Sequence, residues 1–420
     1  MSDLNRRALI TSLAAMATLP ALPAQARTPA RKFAWVPSWY AAPEPSGNGA
    51  QAENLTLRQI VRLSAGGAAL RIRLSNAYGT TPLLIDEVRV AKRVAGARID
   101  PATDRAATFD GRAAVSIPPG AYMLSDPVSL SVDALSDLAV SLYVKGPAPL
   151  STVHDIQRGA LYAASGPQAA APELPAAKPD IGIGKAFPWL SGIEVMTTDT
   201  TRAIVAFGDS ITDGFGITPD QGRTWPDVFN QRLNAARLPL SVVNGGISGN
   251  RLLNHGTQSR FGSGALARFD RDVLAQPNVA ATILLIGIND LGHAQGPGSA
   301  GFAPVEALTG GLRQIADRAS AHGLRVYAAT LTPFKGTVFR DYYSDEKEAR
   351  RQAVNAWLRK TDVFDAVFDF DRALEDPARP GWLLPAYDVG DHLHPNDAGA
   401  AKMAQAIPLK AFDWAKAKKR

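Results

Sequence analysis

The sequence has no cysteine, which excludes disulfide bonds, thiolate metal ligands and a cysteine nucleophile. Charged residues are also sparse, at 20% of the 420 residues, with a net charge of +6. No long basic stripe with interleaved aromatic residues runs along the sequence, so we do not expect a nucleic-acid partner. The hydrophobic share of 46% is sufficient for two or three domains with buried cores.

Long apolar runs are lacking after the first residues of the chain. Arg6 and Arg7 precede the apolar stretch 8–22, and residues 24–26 read Ala-Gln-Ala, a small-residue cleavage pattern. The paired arginines resemble a twin-arginine signal, with an ordinary Sec signal as the alternative. The stretch is too short to predict a stable membrane anchor. We therefore predict that residues 1–26 are a cleaved signal peptide and that the mature protein is periplasmic or secreted.

Residues 32–197 have the pattern of short strands without helices between them. The segment 68–74 alternates apolar with basic residues, and segments 83–91 and 138–144 are rich in strand-forming residues. Gly, Pro and Asn separate these segments at short intervals, as in residues 76–79. The pattern predicts an all-β sandwich that forms an accessory domain over residues 32–197.

Residues 200–420 show a different pattern, in which short β-rich runs alternate with longer helical stretches. The predicted strands are Ala203–Phe207, Leu240–Asn244, Ala281–Ile286, Arg325–Thr330 and Ala366–Phe370. The predicted helices are Trp225–Ala236, Ala265–Ala275, Val305–His322, Asp345–Arg359 and Asn396–Ile407. This alternation predicts an α/β domain over residues 200–420, with a parallel sheet covered by helices on both faces.

Ser210 follows the first of these strands in the run Gly208-Asp209-Ser210, at the sheet edge where α/β proteins bind ligands. A neutral hydroxyl is a weak nucleophile, so it needs a histidine base and a carboxylate that orients the histidine. Asp391 and His394 are three residues apart and could fill these roles. The pair Asp290 and His293 has the same spacing, so the residues alone leave both histidines as candidates.

Two glycine-containing segments could supply oxyanion donors, residues 244–250 and 287–290, although each one taken singly is more often a plain turn. Ser210 lacks the Gly-x-Ser-x-Gly pattern of α/β-hydrolases. The sequence also has no convincing metal-ligand spacing, P-loop or dinucleotide fingerprint. We therefore predict neither a metal nor a cofactor.

Four sequence blocks occur in order: Gly-Asp-Ser at 208–210, Gly-x-Ser-Gly-Asn at 246–250, Gly-x-Asn-Asp at 287–290 and Asp-x-x-His at 391–394. Together they resemble the SGNH/GDSL hydrolases, and the resemblance covers residues 202–408. It implies an SGNH-type, flavodoxin-like three-layer domain with a five-stranded parallel sheet, preceded by the all-β sandwich domain.

The resemblance also implies roles for particular residues. Ser210 corresponds to the nucleophile and, through its amide, to the first oxyanion donor. Gly249 and Asn289 correspond to the second and third donors. Asp391 and His394 correspond to the acid and the base, which favours His394 over His293 because the histidine of the family precedes the final helix.

The N-terminal half is similar to the front domain of a two-domain, xylan-esterase-like branch of this family, at Trp35–Pro43, Leu57–Val61 and Leu70–Gly79. We therefore predict an exported carboxylic ester hydrolase that removes short acyl groups, first O-acetyl groups on carbohydrate such as acetylated xylan, through an acyl-enzyme intermediate. One alternative is a broad arylesterase, lipase or thioesterase. Another is a carbohydrate-binding protein with a vestigial hydrolase site.

Three side chains of the predicted sandwich have two interpretations each. Trp35 and Trp39 could stack on sugar rings, although packing in the sandwich core or against the catalytic domain is the favoured interpretation. His154 could reach the catalytic cleft, or it could be a structural histidine with satisfied hydrogen bonds.

Overall fold

The computed structural model describes residues 33–47, 49–156, 158–175, 182, 186–198, 200–294 and 301–416. The predicted signal peptide, residues 1–26, lies outside the described residues. The architecture changes between Thr198 and Arg202, from antiparallel strands to alternating strands and helices. We call the two parts the β region, residues 33–198, and the α/β region, residues 202–416. Both belong to one compact unit, so their division into separate domains stays a prediction.

Where the structure describes the β region, its regular elements are antiparallel strands and a 3₁₀ turn, Pro101–Thr103. Its strands are β1 (Phe33–Tyr40), β2 (Glu44–Pro45), β3 (Gln51–Ala52), β4 (Leu55–Arg62), β5 (Leu70–Ser75), β6 (Leu83–Ile85), β7 (Glu87–Ala95), β8 (Arg98–Ile99), β9 (Arg105–Ala106), β10 (Val115–Ile117), β11 (Tyr122–Leu124), β12 (Asp137–Val144), β13 (Ala148–Pro149), β14 (Thr152–His154), β15 (Leu161–Ser165), β16 (Phe187–Pro188) and β17 (Leu190–Thr198).

Two larger sheets share one apolar core in this region. One has the order β1-β17-β5-β11, and the other has the order β15-β4-β12-β7-β8, with β9 paired to β7. Inward-facing side chains from both sheets, such as Ile72 and Val195 from the first and Val90 and Val140 from the second, fill the core between them. The prediction of an all-β region of antiparallel sheets is therefore confirmed.

The α/β region contains strands β18 (Arg202–Gly208), β19 (Leu240–Gly246), β20 (Val279–Leu285), β21 (Arg325–Ala329) and β22 (Ala366–Phe368). Its α-helices are α1 (Ser210–Asp213), α2 (Trp225–Ala235), α3 (Ala265–Phe269), α4 (Ile288–Gly292), α5 (Val305–Ala321), α6 (Asp345–Leu358), α7 (Phe370–Leu374) and α8 (Asp397–Ala406). A π-helical stretch, Asp270–Leu274, continues α3, and 3₁₀ turns span Ser259–Phe261, Pro385–Tyr387 and Leu409–Lys416.

The five strands form one parallel sheet in the order β19-β18-β20-β21-β22. Strand β18 is buried along almost its whole length, and its side chains alternate between two apolar cores on opposite faces of the sheet. Ile204 and Ala206 face one core, whereas Val205 and Phe207 face the other. The predicted five-stranded parallel sheet with helices on both faces is confirmed.

The β region packs directly against the α/β region. Tyr40 and Ala42 belong to one of the two cores around the parallel sheet. Polar contacts join the same two regions, including a 2.6 Å hydrogen bond between the hydroxyls of Ser64 and Ser241. No helix among the described residues is long and apolar enough to cross a membrane.

Candidate active site

Ser210 is the first residue of α1, directly after the end of β18. The Asp209 side chain caps this helix by accepting a hydrogen bond from the amide of Ile211 at 3.1 Å. The turn needs glycine at position 208, because an added Cβ would lie 2.5 Å from the Leu285 carbonyl oxygen. The strand end, the glycine and the cap together hold the hydroxyl of Ser210 at the carboxyl edge of the sheet.

The structure brings Ser210 and His394 together across 184 residues of sequence. The Ser210 Oγ lies 2.9 Å from His394 Nε2, and His394 Nδ1 lies 2.6 Å from Asp391 Oδ2. Because Nδ1 donates its proton to the carboxylate, Nε2 is free to accept the proton of the Ser210 hydroxyl. Asp391, His394 and Ser210 therefore form one continuous hydrogen-bonded chain.

The carboxylate of Asp391 is fixed by the short loop that also carries His394. Its Oδ1 accepts hydrogen bonds from the amides of Leu393 at 2.9 Å and His394 at 2.8 Å. Burial alone would raise the pKa of Asp391, but the hydrogen bonds and charge of His394 hold that pKa below its ordinary value. The carboxylate thus stays ionised and can stabilise a positive charge on His394.

Two aromatic rings flank the imidazole of His394. The ring centroid of Phe215 lies 4.3 Å from that of His394, and the ring of Phe339 stands edge-on at 5.8 Å. Phe339 is 40% exposed, and Val338 and Val389 on neighbouring loop positions are 64% and 37% exposed. The solvent side of His394 therefore has an apolar rim.

Gly249 lies in the loop that follows β19, in the left-handed conformation with φ of 74°. A Cβ at this position would lie 2.3 Å from the ring of Phe261, so only glycine fits. The preceding residue, Ser248, is anchored to α1, because its amide and its hydroxyl donate to Asp213 Oδ2 at 3.0 Å and 2.6 Å. The Gly249 amide therefore lies on a loop that is hydrogen-bonded to the helix that begins with Ser210.

Asn289 is the second residue of α4, shortly after the end of β20, and its side-chain amide is fixed on both sides. Its Nδ2 donates to the carbonyl oxygen of Asn250 at 3.0 Å, and its Oδ1 accepts from the hydroxyl of Tyr342 at 2.8 Å. Burial raises the pKa of Tyr342 well above its ordinary value, so this hydroxyl remains a donor. The amide orientation that results leaves one N–H of Asn289 for an oxyanion.

The competing histidine, His293, has other neighbours. Its ring stacks on Phe261 with a centroid distance of 6.0 Å and meets Tyr342 edge-on at 5.2 Å. The carboxylate of Asp290 accepts from the amides of Leu252 and Leu253. Within the described residues it is His394, and not His293, that hydrogen-bonds to the hydroxyl of Ser210.

Arg268, at 1% exposed, is a part of the site that the sequence analysis did not single out. Its guanidinium donates to the carbonyl oxygens of Gly208 and Gly245, each at 2.8 Å, and to Asn250 Oδ1 at 3.0 Å. It also pairs with Asp272 at 3.0 Å. One side chain thus joins the ends of β18 and β19 to the loop of Gly249, and we infer that it holds the oxyanion donors in register.

Two acidic residues of the site motifs, Asp209 and Asp290, are also buried. Burial raises the pKa of Asp209 to about 7 and that of Asp290 to about 6. Tyr40 of the β region donates to Asp272 Oδ1 at 2.7 Å, behind Arg268. The charge of Arg271 and Arg268 overcomes burial and lowers the pKa of Asp272 to about 2.

Glu44, His154 and Asp213 form a buried cluster whose donor atoms lie within 4.8 Å of one another. His154 Nδ1 lies 2.8 Å from the Ala42 carbonyl oxygen, and its Nε2 lies 3.1 Å from Asp213 Oδ1. Because each ring nitrogen faces an oxygen acceptor, the contacts fit an imidazolium that donates two hydrogen bonds better than a metal ligand. The structural interpretation of His154 is thus supported, although the residue also contacts the helix of the nucleophile.

The two tryptophans of β1 are half-buried. Trp39 packs against the core of the β region, with its ring 6.4 Å from that of Phe187. Trp35 is covered by the guanidinium of Arg71, at 4.6 Å from the ring centroid. These contacts agree with packing of Trp39 in the core and give Trp35 a cationic partner within the protein.

Residues 206–402 match the model of the GDSL-like lipase/acylhydrolase family. This part of the chain belongs to the SGNH/GDSL hydrolase family. The predicted family is therefore confirmed, whereas membership of the xylan-esterase-like branch stays a prediction. No curated protein matches the chain.

Solved structures of GDSL proteins are similar to about half of the chain. The acetylxylan esterase Axe2 from Geobacillus stearothermophilus is 22% identical, with a TM-score of 0.38, and the match covers 50% of this chain and 94% of Axe2. A GDSL-like lipase from Bacteroides thetaiotaomicron is 21% identical, with a TM-score of 0.37, and the match covers 51% of this chain and 89% of that protein.

Proposed function

We propose that this member of the GDSL family is a serine esterase that works through an acyl-enzyme intermediate. The observation that carries the proposal is the hydrogen-bonded chain from Asp391 through His394 to the Ser210 hydroxyl. The fixed amide of Asn289 and the glycine loop at Gly249 supply candidate oxyanion donors beside it. A nucleophile, a base and preorganised donors are the parts that acyl transfer requires.

In the first half of the reaction, Ser210 Oγ forms a bond to the acyl carbon while its proton passes to His394 Nε2. The negative charge on the carbonyl oxygen is stabilised by the amides of Ser210 and Gly249 and by Asn289 Nδ2. The bond to the alcohol then breaks, and the alcohol leaves with the proton from His394. Asp391 stabilises the imidazolium between these two steps.

In the second half, water attacks the acyl-enzyme. His394 takes one proton from the water as the new bond to the acyl carbon forms. The bond to Ser210 Oγ then breaks, and the same proton returns to that oxygen. The products are the free acid and the regenerated hydroxyl, so atoms and charge balance over the cycle.

The alcohol part of the substrate must lie beside His394, because this residue protonates the leaving oxygen. Phe215 and Phe339 flank the imidazole and offer ring faces or edges to that part of the substrate. We propose O-acetyl groups on carbohydrate such as acetylated xylan as the first substrate class. The resemblance of the N-terminal half to the xylan-esterase-like branch supports it.

The exposed apolar rim supports a second candidate, a general arylesterase or lipase. Val338, Phe339 and Val389 leave large apolar surfaces exposed next to the base, where an aryl or alkyl alcohol would also be favoured. For either substrate class we propose that the enzyme acts in the periplasm or outside the cell. The paired arginines and the cleavage pattern within residues 1–26 support export.

The test measures acetate release from acetylated xylo-oligosaccharides beside hydrolysis of p-nitrophenyl esters with acyl chains of two to eight carbons. We expect cleavage of short-chain esters, with a loss of at least about 10⁴-fold in Ser210→Ala. Acetate release comparable to the best aryl ester supports the carbohydrate substrate, and cleavage of aryl esters alone supports the general esterase. Full activity in Ser210→Ala would contradict the mechanism.

A further inference from the structure

His154 reaches from the end of β14 in the β region to the last residue of α1, the helix that begins with Ser210. We propose that His154 is a positioning residue that acts through Asp213 and Ser248. It orients the loop after β19 that carries Gly249, which we call the oxyanion loop. This proposal rests on the esterase function proposed above. It assigns to the β region a part in the chemistry, although no residue of that region hydrogen-bonds to Ser210 among the described contacts.

His154 has the contacts of a buried cation. The residue is 5% exposed, and both ring nitrogens face acceptors, the Ala42 carbonyl at 2.8 Å and Asp213 Oδ1 at 3.1 Å. Glu44 Oε1 adds a carboxylate oxygen 3.3 Å from Nδ1. The imidazole can donate to both acceptors only when it is protonated. Burial acts to lower the pKa of His154, but the charge of Asp213, with a smaller contribution from Glu44, overcomes it and raises that pKa, which keeps this form dominant at neutral pH. Burial also raises the pKa of Glu44 to about 8, so Glu44 carries little charge at neutral pH.

We call the series of contacts from His154 through Asp213 to Ser248 the relay. Asp213 is its centre, because its two carboxylate oxygens face different parts of the molecule. Oδ1 accepts from His154, and Oδ2 accepts from both the amide and the hydroxyl of Ser248, at 3.0 Å and 2.6 Å. Asp213 is 3% exposed, so water does not compete for these bonds. The position of this carboxylate thus depends on one donor from the β region and two from the loop.

The loop is also in direct contact with the backbone of α1. A Cβ added at Gly246 would lie 2.3 Å from the amide nitrogen of Asp213, and the amide of Ile247 donates to the Gly208 carbonyl at 3.1 Å. The next residues are Ser248, which Asp213 holds, and Gly249, whose amide is the candidate oxyanion donor. A shift of the Asp213 carboxylate therefore moves the peptide that carries this donor.

The charge of His154 strengthens the relay because hydrogen bonds between charged partners are shorter and stronger than neutral ones. Without the imidazolium, Asp213 would be a buried carboxylate that still feels the charge of Arg158 but has lost its hydrogen bond to a cation. It would then take up a proton or move toward water. In both cases its two bonds to Ser248 weaken and the oxyanion donor loses its fixed position.

The experiment compares His154→Gln, His154→Ala and Ser248→Ala with Ser64→Ala in the full chain. Ser64 supplies a matched control, because its hydroxyl also forms a buried hydrogen bond between the two regions, to Ser241, and does not contact the oxyanion loop. The measurements are kcat and KM for p-nitrophenyl acetate, the affinity for a boronic acid that mimics the tetrahedral intermediate, and the melting temperature.

We expect kcat to fall by about 10- to 100-fold in His154→Ala and less in His154→Gln, because small displacements of catalytic groups are costly. KM should stay within about twofold, because an oxyanion contact is made in the transition state and not in the ground state. Boronate affinity should fall in parallel with kcat. The double variant His154→Gln/Ser248→Ala should lose less than the product of the single effects, since both act through Asp213.

Wild-type kcat in folded His154→Gln and His154→Ala overturns the relay, and so does an equal loss of kcat in Ser64→Ala. If His154→Ala does not fold, His154→Gln and Ser248→Ala decide the outcome. If the wild-type protein neither cleaves the ester nor reacts with a fluorophosphonate at Ser210, the proposed function fails first. Normal wild-type hydrolysis combined with unaffected His154 variants rejects the relay alone.

Discussion

The β region and the α/β region contribute to the active site in different ways. The α/β region carries Ser210, Gly249 and Asn289 on segments that follow three adjacent parallel strands, while Asp391 and His394 lie in the loop before α8. The β region contributes buried polar side chains behind these segments, with Tyr40 on Asp272 and His154 on Asp213. One region thus carries the groups that we propose to react, and the other holds side chains that contact the segments behind them.

Each region contains a buried arginine, and the hydrogen-bond partners of the two arginines differ in the same way. Arg58 in the β region donates to Ser141 Oγ and to the carbonyl oxygens of Ala97, Ala169 and Ala171. Arg268 in the α/β region is equally buried but donates to groups at the active site. Burial lowers the pKa of both guanidiniums. The same residue type therefore stabilises the fold in one region and the active site in the other.

After the loss expected in Ser210→Ala, the largest effect is expected from Asn289→Ala, which tests the contribution of the α/β region. The substitution removes the amide that Tyr342 and Asn250 hold in place. We expect kcat for p-nitrophenyl acetate to fall by about 100- to 1,000-fold, the usual cost of losing one oxyanion donor. Tyr342→Phe is the matched variant, because it keeps the Asn289 amide but removes the hydroxyl that fixes the orientation of that amide. Its kcat should fall less than that of Asn289→Ala. Unchanged kcat in Asn289→Ala would show that this amide does not stabilise the oxyanion.

A smaller effect is expected from exchange of each buried arginine for lysine. Lysine cannot reproduce the planar fork of donors, so both Arg58→Lys and Arg268→Lys leave buried carbonyls without a partner. Each should lower the free energy of unfolding by about 1–3 kcal/mol. Only Arg268→Lys should also lower kcat, by about tenfold or more, because the strand ends and the Gly249 loop lose their common donor. Denaturant unfolding and steady-state kinetics on both variants check this, and equal kinetic effects would contradict the contrast.

The smallest effect is expected in the pH dependence of stability of His154→Gln, which tests the contribution of the β region. Burial acts to lower the pKa of His154, but the charge of Asp213, joined by that of Glu44, raises it from 6.5 to about 10. Burial raises the pKa of Glu44 to about 8, so Glu44 also changes its charge within this interval. The stabilisation from this proton is complete below pH 6.5 and is lost as the pH rises through about 10. We therefore expect His154→Gln to be less stable than the wild type by about 1–3 kcal/mol below this interval, with the difference shrinking toward alkaline pH.

Urea unfolding of both proteins from pH 6 to 10 measures this difference. Ser64→Ala, which removes a hydroxyl without a charge at the same boundary, should show a difference from the wild type that does not change with pH. A constant difference for His154→Gln as well would show that folding does not raise the pKa of His154.

Periodicity and composition predicted most of the regular elements. Strand β18 and helices α2 and α5 lie within two residues of their predicted bounds, because buried strands and amphipathic helices leave a clear hydrophobic pattern. The predicted helix 265–275 proved to be α3 followed by a π-helical stretch. The two-residue strands of the β region were not predicted, because two residues are too few to show the alternation of apolar and polar residues that marks a strand.

The candidate site also contains residues that the sequence predicted and residues that it did not. Ser210, Gly249, Asn289, Asp391 and His394 belong to short motifs whose order could be read along the chain. Arg268 and Tyr342 could not be found this way. Apart from Asp272, which pairs with Arg268, their partners are carbonyl or amide groups that lie 18 to 60 residues away in sequence and become neighbours only in the folded protein. Because every residue has a backbone carbonyl group, no sequence pattern predicts which of these groups will accept such a hydrogen bond.

The sequence by itself determined the fold class of both regions and the residue types of the chemistry, because these depend on local hydrophobic periodicity and short motifs. The spacing to an aspartate is the same for His394 and His293, and the family resemblance only favoured His394. The tertiary structure shows that His394 is the one that meets the Ser210 hydroxyl. The tertiary structure also gave His154 its charged partners. Pairing of buried charges depends on distances across the boundary between the two regions, and spacing along the chain does not encode those distances.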